Sequence, residues 1–159
     1  MTRKKRILLT VTGASGMAYA QTLATALGQN KDIELHMIVS RAGLKVLEVE
    51  SGARPEELTA PAARVYEPED IGAPCASGSW THQGMVVCPC SMSTLAAIAN
   101  GTGLNLIHRA ADVSLKERRP LILVARETPL SSIHLENMLK ASRAGAVIAP
   151  ACPAFYLRP

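Results

Sequence analysis

The stretch RILLTVTGASGMAYAQTLATALG, residues 6–28, contains a strand, a glycine-rich turn and a helix in direct succession. Residues 6–11 form a short apolar run between charged residues and a glycine, which predicts a buried strand. Apolar residues then recur at helical spacing, at Met17, Ala20, Leu23 and Leu27. This spacing predicts a helix that ends near Gly28, so the stretch is the first half of a βαβ unit.

The same alternation continues along the chain. Further strands are predicted at residues 33–40, 84–89, 121–126 and 146–150, and further helices at 41–52, 93–100, 104–119 and 133–145. The proline-rich segment 53–80 is predicted to be a connection with one weak strand at VYE. Strands that alternate with helices predict a parallel sheet with right-handed crossovers. We therefore expect one α/β domain over residues 1–159.

Composition and charge narrow the functional classes. Hydrophobic residues make up 48% of the chain and charged residues 19%, as in a globular protein, and aromatic residues make up only 3%. The net charge of +4 suits nucleic acid or a small anionic ligand, but no basic stripe is interleaved with aromatic residues, which argues against nucleic acid. No run is long enough to cross a bilayer, and no signal peptide is recognisable. We expect a cytoplasmic protein with no membrane or nucleic-acid partner.

The cysteines and histidines do not form a recognisable metal or catalytic motif. Cys88 and Cys90 form C-x-C, but no second Cys/His pair follows at zinc spacing. We expect them to be buried core thiols and expect no metal. The four histidines are isolated, and no nucleophile–His–Asp arrangement is evident.

Small, hydroxylated or charged residues follow the predicted strands. TGASG (12–16), Ser40, CPCSMST (88–94) and Arg126-Glu127-Thr128 each come directly after an apolar run. In an open parallel sheet, ligands bind outside the carboxyl ends of the strands. These segments are therefore predicted to line one cleft, and one of the hydroxyl residues after Cys90 is expected to cap the next helix.

The TGASG turn has two interpretations. Its backbone N–H groups favour a phosphate at a helix N-terminus, or it is a tight turn in which Ser15 caps the helix. It lacks the dinucleotide pattern G-x-G-x-x-G, and Ser40 stands where an acidic residue would bind a ribose, so a mononucleotide fits better than NAD. The cations of the KERR segment, 116–119, are either a solvated helix end or part of the site.

Four longer segments resemble one known family. They are TGASG (12–16), PCSMSTLAAIANG (89–101), NLIHRAADVSLKERRPLILVARETPLSSIHLENM (105–138) and PAFYLRP (153–159). The chain resembles the UbiX-type flavin prenyltransferases, also described as phenylacrylic or hydroxyarylic acid decarboxylase small subunits. The match runs over nearly the whole chain.

The resemblance implies a single Rossmann-like (flavodoxin-like) domain, with a parallel sheet flanked by helices, that assembles as a homododecamer. It implies a metal-independent transferase that joins the dimethylallyl group of dimethylallyl monophosphate to N5 and C6 of reduced FMN. The prenylated FMN would serve a UbiD-type decarboxylase as cofactor. A cysteine decarboxylase on the same fold, and an FMN-binding or cofactor-delivery subunit without turnover, remain alternatives.

The resemblance also implies roles for individual residues. FMN would be bound by Gly13, Ala14, Ser15, Gly16, Ser40, Ser91, Met92, Ser93, Thr94 and Arg126. Catalysis would use Ser15, Glu50, Lys116 and Glu127, with Ser15 and Glu127 tied to proton movement at flavin N5. The prenyl phosphate and its surroundings would be bound by Arg109, Lys116, Arg126, Tyr156 and Trp80. Family members usually continue past PAFYLRP, so a C-terminal tail is expected to be missing from this sequence.

Overall fold

A six-stranded parallel sheet with helices on both faces forms the frame of the protein in the computed structural model, which describes residues 4–153. The strands are β1 (Lys5–Val11), β2 (Ile33–Val39), β3 (Arg64–Tyr66), β4 (Gly84–Cys90), β5 (Leu121–Ala125) and β6 (Val147–Ile148). The helices are α1 (Met17–Gln29), α2 (Arg41–Ser51), α3 (Pro55–Thr59), α4 (Met92–Asn100), α5 (Leu106–Lys116) and α6 (Ser132–Arg143). A 3₁₀ turn covers Pro74–Ala76.

The strand order is β3-β2-β1-β4-β5-β6, and all pairs are parallel. This is the doubly wound Rossmann order, and without the three-residue β3 the remaining five strands follow the flavodoxin order. The predicted α/β fold is confirmed. The chain leaves β1 toward β2 on one side and returns to β4 on the other, so a crevice opens outside the carboxyl ends of β1 and β4.

Two apolar layers hold the helices to the sheet. Neighbouring residues of a strand point to opposite faces, and Leu8 and Leu9, both fully buried, belong to different layers. Leu9 lies in the layer that includes Met17 of α1 and Leu47 of α2. Leu8 lies in the layer that includes residues of α4, α5 and α6. The core is largely aliphatic, as the low aromatic content predicted.

The structure differs from the sequence prediction in three places. The segment predicted as a connection contains the short helix α3, which begins at Pro55, a favoured residue for the first helical position. The helix predicted over 104–119 is shorter at both ends, because Asn105 caps its start and Arg118 adopts a left-handed backbone with φ of 54°. The last strand has only two residues.

Within residues 4–153, no helix is both long enough and apolar enough to cross a bilayer.

Close packing at Gly28 gives a test of the fold. A Cβ at this position would lie 2.4 Å from Pro61 Cβ and 2.7 Å from Pro61 O, the latter a backbone atom that cannot move independently. Overpacking of this kind costs about 1–3 kcal/mol, which outweighs a gain in helix propensity of about 1 kcal/mol. Gly28→Ala should therefore lower the free energy of unfolding, measured by urea titration followed by circular dichroism.

Gly103→Ala is the matched control, because a Cβ there would meet nothing within 4 Å. It should change stability by no more than about 0.5 kcal/mol. If the two variants unfolded at the same urea concentration, the result would contradict the close packing of α1 against Pro61.

Candidate functional site

A cleft of about 340 Å³ lies at the carboxyl edge of the sheet. The chain enters it after β1 at Thr12 and Gly13, after β2 at Ser40, and after β4 at Ser91. The other lining residues are Ala42, Ser93, Thr94, Ala97, Leu104, Asn105 and His108. The structure thus brings the predicted residues Gly13, Ser40, Ser91, Ser93 and Thr94 together, and Met92 lies between two of them in the chain.

Two helices point their N-termini at this cleft. Ser40 caps α2 by accepting a hydrogen bond from Gly43 N at 3.0 Å, and Ser91 caps α4 by accepting one from Thr94 N at 3.3 Å. Neither helix has an acidic residue in its first turn. In the part of the chain that the structure describes, the N–H groups of residues 41, 42, 92 and 93 have no hydrogen-bond partner. Such paired N-termini attract an anion, most simply a phosphate.

The N-terminus of α1 is occupied by a carboxylate of the chain itself. Glu50, at the end of α2, accepts hydrogen bonds from Gly16 N at 3.0 and 3.1 Å and from Met17 N at 2.8 Å. Gly16 is the N-cap residue, with a φ of 113° that favours glycine, and Ser15 is therefore not the cap. Because Glu50 already binds the N–H groups of Gly16 and Met17, those two groups are not available to a phosphate at this turn.

Ser15, Glu50 and Arg126 form a second group beside the cleft. Loss of some hydration around Glu50 opposes its ionisation, but interactions with Ser15, Met17 N, Gly16 N and the charge of Arg126 leave its pKa below the usual value. The stabilisation that the ionised Glu50 carboxylate gives to the start of α1 is therefore fully present at pH values above the ordinary pKa of glutamate. It is lost as the pH falls through the lowered pKa of Glu50.

Residues 126 and 127 lie at the same edge of the sheet, after β5. Arg126 N donates to Cys90 O at 3.3 Å, which ties the end of β5 to the end of β4. The Glu127 carboxylate accepts a hydrogen bond from Thr128 N at 3.0 Å. Both side chains are exposed, so both can reach a ligand. Ala14, which follows Gly13, is buried, and its N–H donates to Thr12 O at 2.9 Å.

Cys88 and Cys90 are buried free thiols, as predicted. Burial raises the pKa of Cys88 to about 11 and that of Cys90 to about 12. Within residues 4–153, no group of three or more His, Cys, Asp or Glu residues is arranged to hold a metal ion.

Trp80 and Lys116 lie at the opposite, amino edge of the sheet. The Arg6 guanidinium stacks over the Trp80 ring at 5.4 Å, and Arg6 is the second residue of β1. Arg6 and Thr12 are six residue steps apart along an extended strand, which corresponds to about 20 Å. Lys116 pairs with Glu117 at the end of α5. Within one chain, neither side chain joins the cleft.

Arg109 lies two turns before Lys116 on α5. Its Nη1 pairs with Asp112 at 2.6 Å and its Nε donates to Ala76 O at 3.2 Å, which directs it toward the segment that leads to Trp80. Arg109, Lys116 and Trp80 therefore do not line the cleft within one chain, although Arg109 directly follows His108, which does. Tyr156 lies outside the described residues.

Sequence reasoning placed Thr12 at the cleft as part of TGASG but missed two polar residues that line it, Asn105 and His108. Asn105 caps α5 by accepting from His108 N at 3.0 Å, and asparagine before an apolar helix is a signal that could have revealed it. Burial lowers the pKa of His108. Its buried Nδ1 has no partner among the described residues, and no sequence signal distinguishes it from a packed histidine.

Comparisons with known proteins agree with this geometry. Residues 1–156 match the family model described as "Flavoprotein". The chain is 51% identical over 155 residues to flavin prenyltransferase LpdB of Lactiplantibacillus plantarum, covering 98% of this chain and 83% of that protein. It is 49% identical over 157 residues to the mitochondrial flavin prenyltransferase PAD1 of Saccharomyces cerevisiae, covering 99% of this chain but only 64% of the yeast protein.

Two solved structures are also similar. AnUbiX (PadA1), in complex with FMN and dimethylallyl pyrophosphate, superposes with a TM-score of 0.96 at 47% identity, covering 99% of this chain and 83% of that chain. A dodecameric FMN-dependent UbiX-like decarboxylase from Escherichia coli O157:H7 gives a TM-score of 0.94 at 43% identity, covering 97% and 83%. The chain belongs to the flavoprotein family and, within it, to the UbiX-type flavin prenyltransferases.

Proposed function

We propose that the protein is a flavin prenyltransferase that joins the dimethylallyl group of dimethylallyl monophosphate to N5 and C6 of reduced FMN. The observation that carries this proposal is the cleft between the N-termini of α2 and α4, which suits a flavin mononucleotide phosphate, in a chain about half identical to flavin prenyltransferases. The prenylated FMN would then serve a UbiD-type decarboxylase, and both proteins would act in the cytoplasm.

The residues of the cleft fit FMN. The unpartnered N–H groups at residues 41, 42, 92 and 93 would bind its phosphate, together with the hydroxyl groups of Ser40, Ser93 and Thr94. His108 lines the same wall and adds a polar side chain to it. When bound in reduced form, FMN supplies the nucleophilic ring atoms N5 and C6.

The group beside the cleft would carry the chemistry. Loss of an allylic phosphate develops negative charge on the leaving group, and the exposed Arg126 guanidinium can stabilise that charge without a metal. Glu50 accepts hydrogen bonds from Gly16 N and Met17 N at the start of α1, so it would fix the turn that carries Ser15 beside the cleft. Ser15 and Glu127 would move the proton at flavin N5.

Assembly would complete the site. The resemblance groups Arg109, Lys116 and Trp80 with the residues around the prenyl phosphate, yet within one chain none of the three lines the cleft. A second copy that docks these residues against the cleft would supply two cations and an apolar wall. Exposed apolar residues on α6, Ile133, Leu135 and Leu139, offer further contact area, and the E. coli relative is dodecameric. We expect a homododecamer.

The central test is anaerobic. The purified 159-residue chain is mixed with reduced FMN and either dimethylallyl monophosphate or dimethylallyl pyrophosphate, and the released flavin is weighed by mass spectrometry. We expect a gain of one five-carbon prenyl unit. Unmodified FMN bound at one per chain would instead indicate a binding or delivery subunit. Release of carbon dioxide from a cysteine-containing substrate would indicate the cysteine decarboxylase.

A carboxylate substitution tests the proton-transfer role. Glu127→Gln should leave FMN affinity unchanged, because the side chain keeps its shape, while single-turnover prenylation slows by about 10²–10⁴-fold. Glu56→Gln, at an exposed carboxylate in the first turn of α3, is the matched control and should retain full activity. Equal rates for the two variants would remove Glu127 from the mechanism.

A mixing experiment tests the shared site. Glu50→Gln and Lys116→Ala should each be nearly inactive alone. In oligomers that contain both variants, a site built from two copies can draw intact Glu50 from one copy and intact Lys116 from another. About a quarter of the sites would then be complete in an equal random mixture. Mixed oligomers that regain no activity would show that one copy supplies both residues.

A further inference from the structure

Thr12 forms an unusual set of contacts directly behind the cleft. It follows β1 and is 1% exposed. Its hydroxyl donates to Pro89 O at 2.8 Å and accepts from Ser91 N at 2.9 Å, and Thr12 N also donates to Pro89 O at 3.2 Å. One buried hydroxyl group therefore binds both Pro89, near the end of β4, and Ser91, the residue that joins β4 to α4.

The contact with Ser91 bears on how α4 meets the cleft. Ser91 is the N-cap of α4, and its Oγ lies 3.1 Å from Ser93 Oγ and 3.3 Å from Thr94 N. Because the Ser91 peptide N–H is bonded to Thr12, the directions of the next two N–H groups, at residues 92 and 93, depend on this bond. Those are two of the unpartnered donors at the cleft.

Thr10 shows that burial on β1 does not by itself produce this arrangement. Thr10 lies on the same strand and is 0% exposed. Its Oγ1 makes a single hydrogen bond of 3.4 Å, to Val86 O within the sheet, and it does not line the cleft. Both threonines are buried at β1, but only the Thr12 hydroxyl contacts the start of α4. Thr10 is therefore a matched control for substitutions at Thr12.

We infer that Thr12 is a positioning residue for anion binding: its hydroxyl sets the N-terminus of α4 so that the cleft binds the phosphate of FMN. This inference rests on the proposed function, since it takes FMN as the ligand. Valine is close to threonine in shape but carries no hydroxyl, so Thr12→Val would leave Ser91 N–H without its acceptor and Pro89 O without its strongest donor. Thr12→Ser would retain both bonds.

The experiment measures FMN dissociation constants by fluorescence titration of the full chain and its variants. Thr12→Val should weaken FMN binding at least about tenfold, while Thr12→Ser and Thr10→Val stay within about threefold of wild type. Hydrogen exchange followed by mass spectrometry, without FMN, supplies a readout independent of ligand. Exchange over residues 88–94 should rise in Thr12→Val and not in Thr10→Val. Thr12→Cys, with a weak thiol donor, should give an intermediate result and replaces Thr12→Val if that variant does not fold.

The outcomes distinguish failure of the proposed function from failure of the positioning role of Thr12. A wild-type chain that does not bind FMN overturns the proposed function, and the exchange data then decide on their own whether Thr12 fixes the start of α4. A wild-type chain that binds FMN, with Thr12→Val equal to Thr10→Val in affinity, overturns the positioning role. Equal losses in Thr12→Val and Thr12→Ser overturn it as well, because the hydroxyl group would then not be the cause.

Discussion

The pairing of β1 with β2 on one side and β4 on the other is the constraint on which the cleft depends. The register aligns Val11 with Val39 and Thr10 with Val87, so the three strands end at nearly the same level. The chain must then turn three times at one edge of the sheet, and two of those turns start helices that point their N–H groups into the same space. A site of the kind that suits a phosphate thus follows from the sheet topology alone.

Most of this frame could be predicted from the sequence, because strand and helix periods are local signals. The hydroxyl residues after β2 and β4 were predicted to lie at the cleft for the same reason, since carboxyl ends of parallel strands share an edge. The cap of α1 could not be predicted. Glu50 and Gly16 are 34 residues apart, and their contact depends on how α2 packs beside α1. His108 was missed because the sequence does not show whether its ring nitrogen Nδ1 has a hydrogen-bond partner; that depends on the surrounding fold.

The resemblance and the single chain divide the predicted residues differently, and the difference has a physical origin. The family resemblance groups residues that are expected to act together, whereas the structure of a single chain shows only which residues lie close together within that chain. Lys116 ends α5 near the amino edge of the sheet, as crossover geometry requires of a helix that leads into a parallel strand. The cleft lies at the other edge, so within one chain Lys116 does not join it.

Burial of Cys88 and Cys90 has a further consequence for a protein that handles an allylic electrophile. The thiolate is the form of cysteine that is readily alkylated. With pKa values of about 11 and 12, both sulfurs remain protonated throughout the physiological range, and neither is accessible to solvent. The strand that leads to the cleft thus carries two sulfurs without adding a competing nucleophile, and capture of a dimethylallyl group is suppressed at these two positions.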